Sequence, residues 1–333
     1  MPGSVHSSVR LFFCLIGLWL PGAVAASTSN TLTVGVLQFG TVRWELDVIQ
    51  RYQLGQQKNL EIRVVPLASN QATLTALQSG AVDMIVGDWI WAAKQRQFNR
   101  HYAFFPYSNA VASLYVADDS DIKSFADLRG KRIGVAGGPV NKSWVLYKAY
   151  AKKEFDFDLM GDAQIKFAAP PILNKLMMKS ELDAVINFWH FGARLEAAGY
   201  RTLVDIETVF SAFDITAQAP VLGWLFKKQW AEANADALNR FLAVSYQARS
   251  KLLQDDAEWE RLQPLENFEN DTLRTLLREG YRQGIPRRSG MAERDATQRL
   301  FSVLRSEAGD DLTGSLTQLP DNLFWTSSVL PAQ

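Results

Sequence analysis

The sequence feature that most constrains the fold is a strand-to-helix junction that occurs twice. The segment VDMIVGDW at 82–89 lines up with LDAVINFW at 182–189, with an offset of 100 at every position. Segments 34–36 and 133–135 also match, with an offset of 99. Each copy has an acidic residue, then an apolar run typical of a buried strand, then a tryptophan. The repeat predicts two α/β units with mostly parallel strands and right-handed helical crossovers.

The rest of the pattern divides the chain into two lobes. We expect lobe one at 30–110, lobe two at 111–213 and a return to lobe one at 214–333, with crossovers near 107–112 and 211–216. The expected return begins with a strand at 221–226. Three helices at about 229–253, 271–283 and 291–305 follow it. In such α/β units ligands bind beyond the carboxyl ends of the strands, so a cleft between the lobes is the expected site.

The stretch 124–141 contains the most detailed local signals. Ser124 and Asp127 have capping-box spacing, and Gly130 is suited to the left-handed conformation that ends a helical turn. A strand is predicted at 132–136. The sequence GGP at 137–139 then predicts a sharp turn, with Pro139 in the first turn of the next helix. Free backbone N–H groups at this junction can hold a polar ligand.

The first 26 residues have the pattern of a secretory signal peptide. Arg10 precedes an apolar run at 11–20 that is too short to span a bilayer, and Pro21-Gly22 breaks it. The small residues Ala23-Val24-Ala25 fit the cleavage rule, so we expect a signal peptide at 1–25 and an exported, periplasmic protein.

Charge and cysteine content exclude several functional classes. Loss of the signal peptide removes Arg10 from 35 basic residues and none of the 35 acidic ones, which leaves a net charge of −1. This balance gives no electrostatic footprint for nucleic acid. Cys14 is the only cysteine, so the processed chain has neither disulfides nor cysteine metal sites. No metal or cofactor is expected.

Several short motifs resemble those of periplasmic solute-binding proteins of ABC importers. They are DLRGKRIGV at 127–135 after DSDIKSF at 119–125, LQSGAVD at 77–83, and DAVI at 183–186 before NFW. The most similar group binds aliphatic sulfonates, taurine, nitrate or thiamine-pyrimidine precursors. The resemblance implies a two-lobed periplasmic-binding-protein fold and a monomer that captures a small polar organic solute. It also implies delivery of that solute to the membrane permease of an ABC transporter.

By this resemblance, the ligand contacts fall on turns that follow equivalent strands. The implied positions are Gln38, Phe39, Gly40, Thr41, Gly87, Asp88, Trp89, Gly137, Gly138, Asn141, Asn187 and Trp189, with Asn109 and Asp214 near the crossovers.

The residue types at these positions narrow the solute only in part. Asp88 and Asp214 would repel an anion, and Arg43 is the only cation near an implied contact turn. Aromatic side chains suit a flat ring or a cation. We therefore expect a neutral or cationic organic solute, held between the mirrored pair Trp89 and Trp189. For Trp44, Trp91 and Trp144, core packing is the preferred interpretation.

Two other functions remain open at this point. Eukaryotic enzymes that make the thiamine pyrimidine resemble this family, but they carry a cysteine-rich cluster that this processed chain lacks. Hydrolase, P-loop and zinc-protease motifs are absent, and neither His101 nor His190 has a catalytic partner motif. The chain is therefore not expected to be an enzyme. A binding protein that serves a membrane sensor would have the same sequence features as one that serves a transporter.

Overall fold

The computed structural model describes residues 30–327 other than Thr216, Ala217, Asn267, Arg288 and Ser289, together with Met1 and Gly3. The predicted signal-peptide cleavage site and the predicted crossover residue Thr216 lie outside the described residues.

Strands and helices alternate through most of the chain. The strands are β1 (Thr31–Leu37), β2 (Glu61–Leu67), β3 (Met84–Asp88), β4 (Tyr102–Ser108), β5 (Ala112–Ala117), β6 (Arg132–Ala136), β7 (Gln164–Ala168), β8 (Ala184–Phe188), β9 (Tyr200–Val204) and β10 (Leu222–Lys227). The α-helices are α1 (Val42–Arg51), α2 (Asn70–Ser79), α3 (Trp89–Lys94), α4 (Lys142–Phe155), α5 (Pro170–Met178), α6 (Trp189–Glu196), α7 (Ile206–Ala212), α8 (Lys228–Ala233), α9 (Ala235–Gln254), α10 (Ala257–Arg261), α11 (Gln263–Glu266), α12 (Asp271–Gly284) and α13 (Met291–Thr313).

The strands form two five-stranded sheets of the same plan. The first lobe contains the sheet β2-β1-β3-β10-β4, and the second lobe contains β7-β6-β8-β5-β9. In each sheet the fourth strand is antiparallel to both of its neighbours, while the other pairings are parallel. Four strands of each sheet therefore run in one direction. The antiparallel strand is β5 or β10, the strand by which the chain enters that lobe from the other one.

The sequence repeat corresponds to equivalent positions in the two sheets. Strands β3 and β8 are third in their sheets, and β1 and β6 are second. The acidic residue of each copy has the same role. Asp83 Oδ2 accepts a hydrogen bond from the Thr33 amide at 2.7 Å, and Asp183 Oδ2 accepts one from the Arg132 amide at 2.8 Å. Each aspartate thus ties the start of the third strand to the second strand.

The stretch 124–141 folds largely as its sequence predicts. Ser124 and Asp127 form the capping box of a short 3-10 helix, and Gly130 has a φ of 73°, which a residue with a Cβ rarely adopts. Strand β6 follows as predicted. The prediction for Pro139 is wrong, because α4 begins only at Lys142. Asn141 caps this helix by accepting hydrogen bonds from the amides of Ser143 and Trp144.

The C-terminal third returns to the first lobe through β10 and then packs along both lobes. The single helix expected at 229–253 is two helices, because Asn234 has a non-helical backbone between α8 and α9. Helix α12 packs against α6 of the second lobe, while α13 packs against both α3 and α4. Within the described residues, no helix combines the length and apolar character needed to cross a bilayer.

Candidate functional site

A cavity of about 350 Å³ lies between the two lobes, at the carboxyl ends of the strands. Residues from β1, α1, α2, β3 and α3 line it from the first lobe, and residues from α4, β8 and α6 line it from the second. The polar and aromatic members of this lining are Thr41, Asn70, Thr73, Asp88, Trp91, Tyr107, Ser108, Asn141, Lys142, Ser143, Phe188, Trp189 and His190. The volume is in the range of small-molecule sites in proteins.

An ion pair between two residues of the cavity lining connects the two lobes. The Asp88 carboxylate lies 3.1 Å from Lys142 Nζ, and the side chains are 33% and 15% exposed, respectively. Asp88 also caps α3, because its Oδ1 accepts a hydrogen bond from the Trp91 amide at 2.9 Å. Lys142 is the first residue of α4. These are the only two formally charged side chains in the described cavity lining, so the site carries balanced charge.

The cation of this site differs from the one expected from the sequence. Arg43 does not line the cavity. Its guanidinium donates to the carbonyl oxygens of Gln38 and Leu265 and faces Glu266. Lys142 is the cation that the sequence reasoning missed, although it directly follows the predicted contact Asn141. Because Lys142 neutralises Asp88, the expected repulsion of anions by Asp88 does not apply as stated.

Aromatic rings form opposite walls of the cavity. Trp91, in the first lobe, packs on Tyr102 with ring centroids 4.8 Å apart and also lines the cavity. Core packing, the interpretation preferred from the sequence, therefore describes only part of the role of Trp91, which also forms part of the cavity wall. Trp189, in the second lobe, lines the cavity and also packs edge-on against Trp44 of the first lobe, at 5.9 Å. Trp44 and Trp144 are buried core residues, as predicted.

The predicted sandwich of Trp89 and Trp189 is wrong. Trp89 has no solvent-exposed surface, and it is not part of the cavity lining. Its indole N–H donates to the Pro220 carbonyl at 2.8 Å, and its ring packs against Phe301. The segments that contain Pro220 and Phe301 cover this helix start in the first lobe. The ring is therefore held in the core.

The other implied contacts separate into two groups. Six of the fourteen implied residues line the cavity, namely Gly40, Thr41, Gly87, Asp88, Asn141 and Trp189, and their contact with a solute stays a prediction. Apart from Trp89, the remainder do not line it. These are Gln38, Phe39, Asn109, Gly137, Gly138, Asn187 and Asp214.

Local structure explains why these side chains face elsewhere. Phe39 is 75% exposed to solvent. Asn187 is fully buried, and its amide donates to the Pro170 carbonyl and the Asn174 side chain, so it fixes the start of α5. Asp214 is exposed beyond the end of α7. The side-chain amide of Asn109 is buried, and its backbone N–H donates to the Gly284 carbonyl at 2.8 Å.

His190 is the only histidine in the described cavity lining. Burial, together with the nearby Arg194 guanidinium, lowers the pKa of His190 to about 3. The imidazole is therefore neutral at physiological pH and can offer a hydrogen-bond donor or acceptor without charge. No group of three or more His, Cys, Asp or Glu side chains in the described part of the chain is arranged to hold a metal ion.

A second ion-pair bridge joins the lobes away from the cavity lining. Glu266 lies 3.1 Å from Arg194 of α6 and 3.6 Å from Arg43 of α1. A larger groove, about 860 Å³, lies on the outer surface of the first lobe between α1 and β2. It is open to solvent and shares no lining residue with the cleft. The cleft is therefore the better candidate, because it is less open to solvent than the groove and is built from both lobes.

Comparisons with known proteins agree with this architecture. The alkanesulfonate-binding protein SsuA from Xanthomonas axonopodis pv. citri, bound to MOPS, is 15% identical with a TM-score of 0.69, over 90% of this chain and 100% of that one. The periplasmic aliphatic sulphonate-binding protein SsuA from Escherichia coli is 15% identical with a TM-score of 0.67, over 90% and 94%. The Candida albicans CA3427 gene product, described as having the generic periplasmic-binding-protein fold, is 15% identical with a TM-score of 0.54, over 88% and 93%.

The family assignment rests on the sequence itself. No curated protein matches the chain in sequence. Residues 56–258, which are more than half of the chain, match the family described as NMT1/THI5 like. This match covers β3, α4 and β8, from which much of the cleft is built. The chain therefore belongs to the NMT1/THI5-like family, and its two lobes have the periplasmic-binding-protein fold.

Proposed function

We propose that this protein is an exported solute-binding protein that holds a small organic molecule between its two lobes. The observation that carries the proposal is the cavity lined from both sides, with Asp88 of one lobe paired to Lys142 of the other. A solute in this cavity would contact both lobes at once. Its binding would favour the closed arrangement over any open one by the difference in affinity between the two.

The lining supports a solute of no net charge with an apolar or aromatic part. Asp88 and Lys142 balance each other, and His190 is neutral. Trp91, Phe188 and Trp189 offer flat apolar surfaces, which can stack on a ring or cover an aliphatic chain. Polar groups of the solute would find Asn70, Thr73 and the start of α4. This description keeps the neutral class expected from the sequence and does not require a cation.

The proposed cellular role is delivery of the closed complex to an ABC-type permease, after removal of the signal peptide near Ala25. Proteins of similar structure include a periplasmic aliphatic sulphonate-binding protein and the ligand-binding component of an ABC-type import system, which supports this role. Mass spectrometry of the exported protein should find an N-terminus close to Ala26. A product in the membrane fraction that still contains Met1–Leu20 would contradict the proposed export.

Native mass spectrometry tests the binding role. The purified protein should carry one small molecule per chain, and denaturation should release that molecule unchanged. Conversion of the released compound by fresh protein would contradict a binding-only function. The variant Leu74→Trp places a larger ring at the cavity wall and should reduce the occupied fraction. The matched control Thr75→Trp, on the exposed face of the same helix, should retain the parent's occupancy.

A further inference from the structure

A small second compartment lies directly beneath the floor of the cleft. Its wall includes Thr41, Tyr107, Trp189, Arg249, Tyr281 and Gly284, of which Thr41, Tyr107 and Trp189 also line the cleft. Its volume is about 10 Å³, close to the minimum that one water molecule needs. The compartment lies beside the first crossover between the lobes, which follows Ser108 at the end of β4.

Four polar atoms around this compartment are buried and make no hydrogen bond of normal length to the protein. Tyr107 Oη, Tyr281 Oη and the Nε and Nη2 atoms of Arg249 make no hydrogen bond of normal length within the described part of the chain, and the two tyrosine hydroxyls face each other. Arg249 is only 2% exposed. Its remaining nitrogen, Nη1, donates to the Tyr107 carbonyl at 3.3 Å. Buried polar groups in folded proteins are nearly always paired, and a bound water is a common partner where the protein supplies none.

The charges around the compartment determine whether an anion, a cation or an uncharged molecule fits in it. Arg249 Nε lies 3.7 Å from Glu45 Oε2, and Glu45 is fully buried. Where Glu45 is ionised, the guanidinium has a counter-charge, and an anion in the compartment would have to compete with Glu45. A monatomic cation would face the guanidinium. An uncharged guest with both donors and acceptors satisfies the tyrosine hydroxyls and the guanidinium without adding charge.

We propose that this compartment is a binding site for one water molecule, held by Arg249 and by the hydroxyls of Tyr107 and Tyr281. The water connects α9 and α12 to the crossover strand β4 and supports the wall that Trp189 shares with the cleft. The site does not depend on the identity of the solute or on the proposed transport role.

A crystal structure of the purified protein, with a second crystal soaked in sodium bromide, tests the guest directly. One ordered water should lie within hydrogen-bond distance of Arg249 and of at least one tyrosine hydroxyl, with no anomalous bromide signal there. A bromide peak in the compartment would overturn the proposal in favour of an anion site. Direct hydrogen bonds among the three side chains, with no water between them, would overturn it as well.

The variant Tyr281→Phe tests the site in solution, because the proposal predicts the direction in which its melting temperature shifts. If a water joins Tyr281 to Arg249, loss of the hydroxyl removes a satisfied hydrogen bond and lowers the melting temperature by about 2–4 °C. If the hydroxyl is buried without a partner, its removal relieves a cost and raises the melting temperature. The control Tyr246→Phe removes an exposed hydroxyl and should leave the melting temperature unchanged. A melting temperature of Tyr281→Phe at or above that of the parent would contradict the water site.

Discussion

The Asp88 carboxylate of the first lobe lies 3.1 Å from the Lys142 ammonium of the second, and both groups face the cleft. The second oxygen of Asp88 caps α3 within its own lobe. This capping bond fixes the carboxylate whether or not the lobes meet. The pair therefore links the start of one helix in each lobe.

The first prediction concerns this pair. Lys142→Met leaves the Asp88 charge without its partner at the lobe boundary and should favour separation of the lobes. A partly shielded pair of this kind contributes about 1 kcal/mol, which is roughly a fivefold change in the ratio of closed to open protein. Small-angle X-ray scattering of the solute-free variant should give a larger radius of gyration than the parent.

Lys152→Met is the matched control for this test, because it removes an exposed lysine from the same helix. Its scattering curve should match that of the parent. An unchanged radius of gyration in Lys142→Met would show that the ion pair does not hold the lobes together.

The second prediction concerns the place where Trp189 meets the first lobe. A Cβ at Gly280 would lie 2.8 Å from Trp189 Cε3, so Gly280→Ala should push this ring out of position. Hydrogen–deuterium exchange of α6 should become faster. Gly138→Ala, where a Cβ would meet nothing within 4 Å, should exchange like the parent. If α6 exchanges at the same rate in the parent, Gly280→Ala and Gly138→Ala, Trp189 is not held in place by α12.

The two tryptophans of the repeat show how far sequence reasoning reaches. The repeat correctly predicted the equivalence of β3 and β8, including the aspartates Asp83 and Asp183. These features depend on local sequence and strand pairing. Similar surroundings do not follow from similar sequence, however. Trp89 is covered by Pro220 and Phe301, which come from later, unrepeated parts of the chain.

Trp91, two positions after Trp89 in the sequence, is the tryptophan of the first lobe that lines the cleft. Successive residues of an α-helix are separated by about 100°, so Trp91 lies about 200° around α3 from Trp89. Only the packing of α3 against its neighbours decides which of these two faces meets the cleft. Lys142 was missed for a related reason, since its partner Asp88 belongs to the other lobe and the pair exists only after the lobes come together.

The third prediction follows from the burial of Trp89. Trp89→Ala removes a fully buried ring and should lower the free energy of unfolding by about 3–5 kcal/mol. Chemical denaturation monitored by circular dichroism measures this loss. Phe98→Ala truncates an exposed aromatic side chain of the same lobe and should change the free energy of unfolding little. A small loss in Trp89→Ala would contradict the core position of this tryptophan.

The fourth prediction concerns pH. Burial raises the pKa of Glu45 from 4.5 to about 7, although the Arg249 charge opposes this shift. The folded protein then binds a proton more tightly than the unfolded chain. The resulting contribution to stability is fully present below pH 4.5 and is lost as pH rises towards 7.

Urea unfolding at several pH values gives the free energy of unfolding of the parent and of Glu45→Gln. The difference between the two proteins should change with pH between 4.5 and 7. His190, whose pKa is lowered to about 3, acts in the opposite direction. Its contribution is present above pH 6.5 and is lost as pH falls, so the parent alone should show a shallow profile. Glu260→Gln, an exposed control on α10, should follow the parent. A constant difference between the parent and Glu45→Gln across pH 4.5–7 would contradict the raised pKa.

The most direct test of the solute site is calorimetric titration with the compound that denaturation releases. The parent should bind one molecule per chain. Trp91→Ala and Trp189→Ala each remove one aromatic wall, from opposite lobes, and should weaken binding by roughly ten- to a hundredfold. Trp89→Ala, measured below its lowered melting temperature, should bind with the parent's affinity. Parent-like affinity in both Trp91→Ala and Trp189→Ala would contradict a solute held between the two lobes.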